Sequence, residues 1–285
     1  MKALSTVALA ALLSLSAHRV AAPLDIKVYN PGENGIFAVS SVLVSGQREA
    51  ILFDAQFSVE DGQALVDMIR ESGKTLTMIY ISSGDPDYYF GLEPLQKAFP
   101  DVKIVASRSV VKHILETKDA KLEYWGPILA KNAPTSLIVP SVLNDTTLIL
   151  EGKKIEIKEV NTHEAYLWLP SAKTVFGGVS VYSGMHVWMA DSQTKEARQK
   201  WAQSLERMAG LKPERVIPGH FLGDIPPKDD AIDFTRGYVA EFEQAVSKSS
   251  TSQEIIKTMK ALYPLLAGEN DLSLSAKVVT KEMEW

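Results

Sequence analysis

The 285-residue chain has no cysteine. That excludes disulfides, thiolate metal sites and cysteine nucleophiles together, so the fold must stand on its apolar core. The glycine-rich patterns that cradle phosphates or dinucleotides are also missing, as is the Gly-x-Ser-x-Gly turn of serine hydrolases. Positive charge is in deficit, with 30 Lys and Arg against 35 Asp and Glu and a formal net charge of −5. A mildly acidic chain with scattered cations has no general attraction for nucleic acid or for anionic membranes, and neither partner is expected. Beyond residue 22 no run is long and apolar enough to span a bilayer. The remaining composition, 46% hydrophobic and 23% charged, is that of an ordinary globular protein large enough for a substantial core.

The first 22 residues read as an export signal. Lys2 gives a positive start, Ala3 to Ala17 are apolar apart from Ser and Thr, and Val20-Ala21-Ala22 offers the small residues that a signal peptidase reads. Cleavage near Ala22 is expected, which places the mature protein in the periplasm or outside the cell. Losing Lys2 and Arg19 lowers the charge from −5 to −7.

Downstream, apolar periodicity alternates between two kinds. Ala50 to Phe53 is a compact strand signal ending at Asp54. Ser58 with Asp61 three residues on reads as a helix cap, Leu65, Met68 and Ile69 follow at helical spacing, and Gly73 stops the helix. Thr77 to Ile81 is a second buried strand, running into the loop Ser82-Ser83-Gly84-Asp85-Pro86-Asp87. A short helix over Gly91 to Phe99, a strand over Lys103 to Ala106 and a helix over Ser109 to Thr117 come next. The middle changes character. Thr146 to Leu150 and Lys154 to Val160 form a hairpin around Gly152, and Tyr166 to Leu169 and Thr174 to Val181 are two more strands. Lys195 to Ala209 is an amphipathic helix, Arg215 to Ile217 a last strand ending in Pro218-Gly219-His220, and a helical tail occupies about 228–285, with segments near 232–247 and 252–264. No repeat or linker divides the chain, so residues 23–285 read as one domain of two sheets between helices.

Several of these pieces together resemble the metallo-β-lactamase superfamily. They are Ile51-Leu52-Phe53-Asp54-Ala55, the Gly/Asp/Pro loop before Tyr89-Phe90-Gly91-Leu92, Leu169-Pro170-Ser171, Phe176-Gly177-Gly178, and Pro218-Gly219-His220. The resemblance implies an α/β fold, a four-layer αββα sandwich, with a small-molecule cleft at one edge. It also implies hydrolysis of an ester, amide, thioester or phosphodiester by hydroxide on one or two zinc ions, because zinc lowers the pKa of bound water to about 7.

The zinc motif itself is altered. Where the family carries His-x-His-x-Asp-His, this chain carries Ser83, Gly84, Asp85, Pro86, Asp87 and Tyr88. The next family histidine falls at Val160 or Asn161, with His163 offset by two or three residues, and the bridging Asp falls at Val179. Only Asp87 and His220 match the family's donors, with Asp85 as a substitute. The metal ligands expected on this basis are Asp85, Asp87 and His220, holding at most one divalent ion, zinc, manganese or iron, or none. A two-zinc centre is not expected. Asp87, Tyr88 and His186 are the expected catalytic residues, with Tyr88 offering a hydroxyl at a former ligand position and His186, with Trp188, lining the pocket. The bland readings are that Asp85-Pro86-Asp87 is turn punctuation, that Tyr88 packs, that Asp191 leads into a helix and that Asp54 is structural. Two functions follow, an atypical hydrolase or a non-catalytic binding protein that keeps the cleft.

Overall fold

In the computed structural model the described residues are 22–162 and 165–285. Residues 1–21 of the expected export signal, and His163, lie outside them.

The first half builds one sheet. Strands β1 (Asp25–Tyr29), β2 (Ser41–Ser45) and β3 (Glu49–Phe53) form an antiparallel meander. Helix α1 (Val59–Ser72) then returns the chain to β4 (Thr75–Ile81), parallel to β3. The Ser58 hydroxyl accepts the Asp61 amide at the helix start, and Gly73 at φ 65° ends it in the left-handed conformation that glycine takes without strain. Helices α2 (Pro86–Tyr89) and α3 (Leu92–Ala98) lead to β5 (Lys103–Ser107), and α4 (Arg108–Leu129) leads to β6 (Ser141–Leu143). The six strands lie in chain order.

The second half builds the facing sheet from β7 (Thr147–Leu150), β8 (Lys153–Lys158), β9 (Tyr166–Leu169) and β10 (Thr174–Phe176). The pair β11 (Tyr182–Ser183) and β13 (His220–Phe221) stands apart, and β12 (Arg215–Val216) joins the main sheet beside β10. Helices α5 (Lys195–Gly210) and α6 (Asp230–Lys248) cover it, and α7 (Ser252–Leu262) and α8 (Glu269–Val279) pack with α6 and β11 in a further core.

Face alternation in β3 shows how the layers form. Ala50 and Leu52 point to a core shared with α1, α3 and α4, whereas Ile51 and Phe53 point to the core between the sheets, where they meet Ile155, Leu167 and Phe176. The other face of the second sheet packs Trp168 and Val175 against Leu205 and Met208 of α5 and Ile232 of α6. The order is therefore helix, sheet, sheet, helix, the αββα sandwich expected. A strand apolar on both faces must be sandwiched, which is why Ala50 to Phe53 reads as a continuous apolar run.

Some boundaries differ from those expected. The strand expected over Thr174 to Val181 stops at Phe176, because Gly177 and Gly178 take φ of 71° and 74° and turn the chain out of the sheet. The stretch Asp85-Pro86-Asp87 opens the short helix α2, with Asp85 at its N-cap and Pro86 in its first turn. Helix α4 runs well past Thr117, and the tail carries a third helix, α8. Among the described residues no helix is long and apolar enough to cross a membrane.

Candidate functional site

The loop after β4 is fixed before it reaches the cleft. Asp54, at φ 66°, accepts the Ser82 amide through Oδ1 at 2.7 Å and the Ser82 hydroxyl through Oδ2 at 2.6 Å. The same hydroxyl accepts the Gly178 amide at 2.8 Å. One carboxylate and one hydroxyl thus tie the ends of β3, β4 and β10 together across the two sheets. Burial pushes the Asp54 carboxyl up to about 7 against the lowering effect of its bonds to Ser82. This supports the structural reading of Asp54.

Helix α2 then presents Asp87 to the seam between the halves. Its Oδ2 lies 2.7 Å from Nε2 of His220, and both side chains are buried. An ionised carboxylate only accepts, so with Asp87 ionised Nε2 carries the proton and Nδ1 is left as an acceptor. That Nδ1 is buried and has no partner among the described residues. The ring is clamped by Tyr182, stacked on it at 4.9 Å and 10°, and by the edge of Tyr88 at 5.8 Å. Gly219 lets the strand carrying His220 come this close. A Cβ there would collide with the Gly178 carbonyl and press on the Tyr88 hydroxyl.

The remaining expected site residues are placed as follows. Asp85 lines the cleft, half-buried, and accepts from the Ser83 hydroxyl at 3.1 Å. The Tyr88 ring is fully buried, and its hydroxyl donates to the Gly178 carbonyl at 3.0 Å. Burial first, and then the charge of Asp87, push that phenol well above its ordinary value, so it keeps its proton. Tyr88 is thus turned to the backbone and does not line the cleft. His186 does not line it either. Its neighbour Met185 faces the cleft, whereas the His186 ring meets the Tyr238 hydroxyl at 2.9 Å among the tail helices, and burial lowers its pKa. His186 departs from its expected place because its ring is taken up by the Tyr238 hydroxyl of α6.

The metal expectation meets a limit in the donor set. Among the described residues no group of three His, Asp or Glu side chains is placed to hold an ion. Asp87 and His220, the two donors that match the family motif, are bonded to each other. The described residues therefore do not fit the family's usual metal centre.

Apart from Trp188, the sequence pattern did not reveal the wall of the cleft, which encloses about 470 Å³ including space open to solvent. Three of the five tryptophans line it, Trp125, Trp188 and Trp285, together with Phe37 and Tyr182. Asp191, read from sequence as a helix-approach residue, lines the cleft and accepts the indole N–H groups of Trp188 at 2.7 Å and Trp285 at 2.8 Å. Asp271 of α8 is a further lining carboxylate. Burial raises it to about 6, partly offset by the charge of His220. The tail therefore forms one side of the cleft.

Comparisons with known proteins agree with this geometry. The sequence profile of the family described as the metallo-beta-lactamase superfamily matches residues 34–220, well over half the chain. Among solved structures, a metallo-beta-lactamase family protein from Thermus thermophilus superposes with a TM-score of 0.62 at 15% identity, covering 90% of this chain and 93% of that one. DIM-1 metallo-beta-lactamase gives 0.53 at 18% identity, covering 77% of this chain and 98% of that one. A metallo-beta-lactamase from Pontibacter korlensis gives 0.52 at 19%, with 76% and 93% covered. No curated protein matches. The match spans the Asp54 knot, the loop after β4 and the closing histidine, and the chain belongs to the metallo-beta-lactamase superfamily.

Proposed function

We propose that this protein is an atypical hydrolase-like member of its superfamily that takes a small molecule into the edge cleft and works with at most one divalent ion, not with a two-zinc centre. The observation that carries this reading is the 2.7 Å bond between Asp87 and His220. It spends on each other the two donors that a metal would need. Asp87 fixes the ring and its tautomer through Nε2–H, as an acid orients a catalytic imidazole, and leaves Nδ1 to accept a proton from a water or a ligand hydroxyl. The aromatic lining supplies apolar contact for the ligand. Export to the periplasm or the medium is part of the proposal, supported by Lys2, the apolar run and Val20-Ala21-Ala22.

A second reading, a binding protein without turnover, is favoured by one observation. Nδ1 is sealed from solvent, and among the described residues no serine or threonine lines the cleft as an alternative nucleophile. The two readings part in one experiment. A panel of ester, thioester, amide and phosphodiester substrates is assayed with chelator, with zinc and with manganese, on the wild type and on Asp87→Asn. Turnover that survives chelator and is lost in Asp87→Asn supports the dyad. No turnover under any condition leaves the binding protein. Turnover that needs added metal and is indifferent to Asp87→Asn contradicts both.

A further inference from the structure

The chemistry of the cleft wall points to a ligand of definite charge. Four carboxylates line it, from Asp85, Asp87, Asp191 and Asp271, against one ammonium, Lys121, and the imidazole of His220. Three of the four already have partners, Asp85 through the Ser83 hydroxyl. Asp87 holds His220, and Asp191 takes the two indole N–H groups. No hydrogen bond or ion pair to a protein group holds the Asp271 side chain among the described residues, although it is half-buried and lines the same cleft as His220. Beside it, His220 is 4% exposed and its Nδ1 is an acceptor without a donor among the described residues. A half-buried carboxylate with no donor, beside a buried ring whose Nδ1 also lacks one, calls for a ligand that brings N–H groups and positive charge.

The aromatic residues make the same request independently. The rings of Trp188 and Trp285 lie 5.2 Å apart at 66°, and Phe37 meets Trp188 edge-on at 5.8 Å, so the rim is a wall of ring faces and edges. Ring faces are electron-rich and attract cations. The rim already shows this preference within the chain, since Lys121 Nζ sits 5.2 Å from the centroid of the Trp285 ring. An anionic ligand would meet the aspartates at close range with one lysine among the described lining residues to offset them, and a neutral one would leave Asp271 without a countercharge.

We propose that the cleft binds an organic amine in its protonated form, with the ammonium group toward Asp271 and His220 and the carbon skeleton against Trp188 and Trp285. The inference rests on the reading that the cleft takes a small molecule without a metal pair on its floor, and it names the ligand class for that site. No bond is made or broken in it. Lys121 occupies part of the aromatic rim in the free protein and competes with the ligand for the Trp285 ring.

Benzylammonium is the probe, with benzyl alcohol as its neutral counterpart and benzoate as its anionic one, each titrated by calorimetry into protein whose metal content has been measured. Benzylammonium is expected to bind about tenfold or more tighter than benzyl alcohol, with no detectable benzoate binding. Asp271→Asn removes the unanswered charge without altering shape and should erase most of that preference while leaving benzyl alcohol unchanged. Lys121→Met lies on a helix surface and leaves the fold intact whatever happens at Asp271. It should tighten benzylammonium by about threefold. Benzyl alcohol binding as well as benzylammonium, benzoate binding best, or no binding of benzylammonium at millimolar concentration would each overturn the inference, as would Lys121→Met weakening the cation. The metal assay keeps the two readings separate. Two ions per chain with an intact ammonium preference defeat the reading of the cleft floor alone, whereas a protein with at most one ion and no preference defeats the ligand class alone.

Discussion

Asp54 and Asp87 are both buried aspartates that face the seam between the sheets, yet their wiring differs. Asp54 is closed, with both oxygens accepting from Ser82, whose hydroxyl takes the Gly178 amide in turn. Asp87 is open. It meets one nitrogen of His220, and the other nitrogen of that ring waits for a partner. A closed knot stabilises and an open one reacts or binds, and this difference separates the structural carboxylate at the end of β3 from the functional one on α2.

The comparison breaks first at Asp54. Replacement by Ala leaves the buried Ser82 amide without an acceptor and puts a Cβ-only residue at φ 66°, so chemical denaturation should show a loss of about 3 kcal/mol. Asn keeps the shape and tolerates the left-handed backbone. It also removes a titration whose sign is fixed. The native carboxyl sits near 7 against an ordinary 3.8, so its stabilising contribution is complete below 3.8 and is lost as the pH rises through about 7. Asp54→Asn should therefore gain on the wild type as the pH is raised across that window. A difference independent of pH would show that Asp54 is not desolvated.

Gly219→Ala tests the closeness of the two halves. The added methyl meets the Gly178 carbonyl and the Tyr88 hydroxyl, and a loss of about 2 kcal/mol is expected, together with displacement of His220. Full stability would mean that the strand end is looser than described. Asp87→Ala strips the open pair of its acid and leaves a buried Nε2 unanswered, at a cost of about 1–2 kcal/mol in a thermal melt with loss of cleft function. Loss of stability with function intact would make Asp87 structural, like Asp54. The smallest effect belongs to His186. His186→Phe breaks its contact with Tyr238 and should cost about 1 kcal/mol without changing ligand binding, whereas weakened binding would return His186 to the site.

How much of this was legible depends on how local the determinant is. The strand Ala50 to Phe53, the cap at Ser58, the stop at Gly73 and the turn at Gly152 are written in neighbouring residues, and they stand where the pattern put them. His220 and Asp87 were legible because a family motif frames them, although their bond spans 133 positions. The orientation of His186 was not legible, since its partner Tyr238 lies 52 residues away and only packing brings the two together. Nor was the cleft wall. Phe37, Trp125 and the tail residues Asp271 and Trp285 come from three distant parts of the chain, and only tertiary packing brings them together. Asp191 was visible as a residue near a helix start, but its role comes from two indoles, one of them 94 residues away.

The central claim is that Asp87 and His220 are bonded to each other instead of to a pair of ions. Elemental analysis of the mature protein, purified without chelator or metal-binding tag, tests it most directly. The account predicts no more than one divalent ion per chain, with Asp87→Ala altering His220 and the cleft without releasing zinc. Two tightly held zinc ions per chain would contradict it.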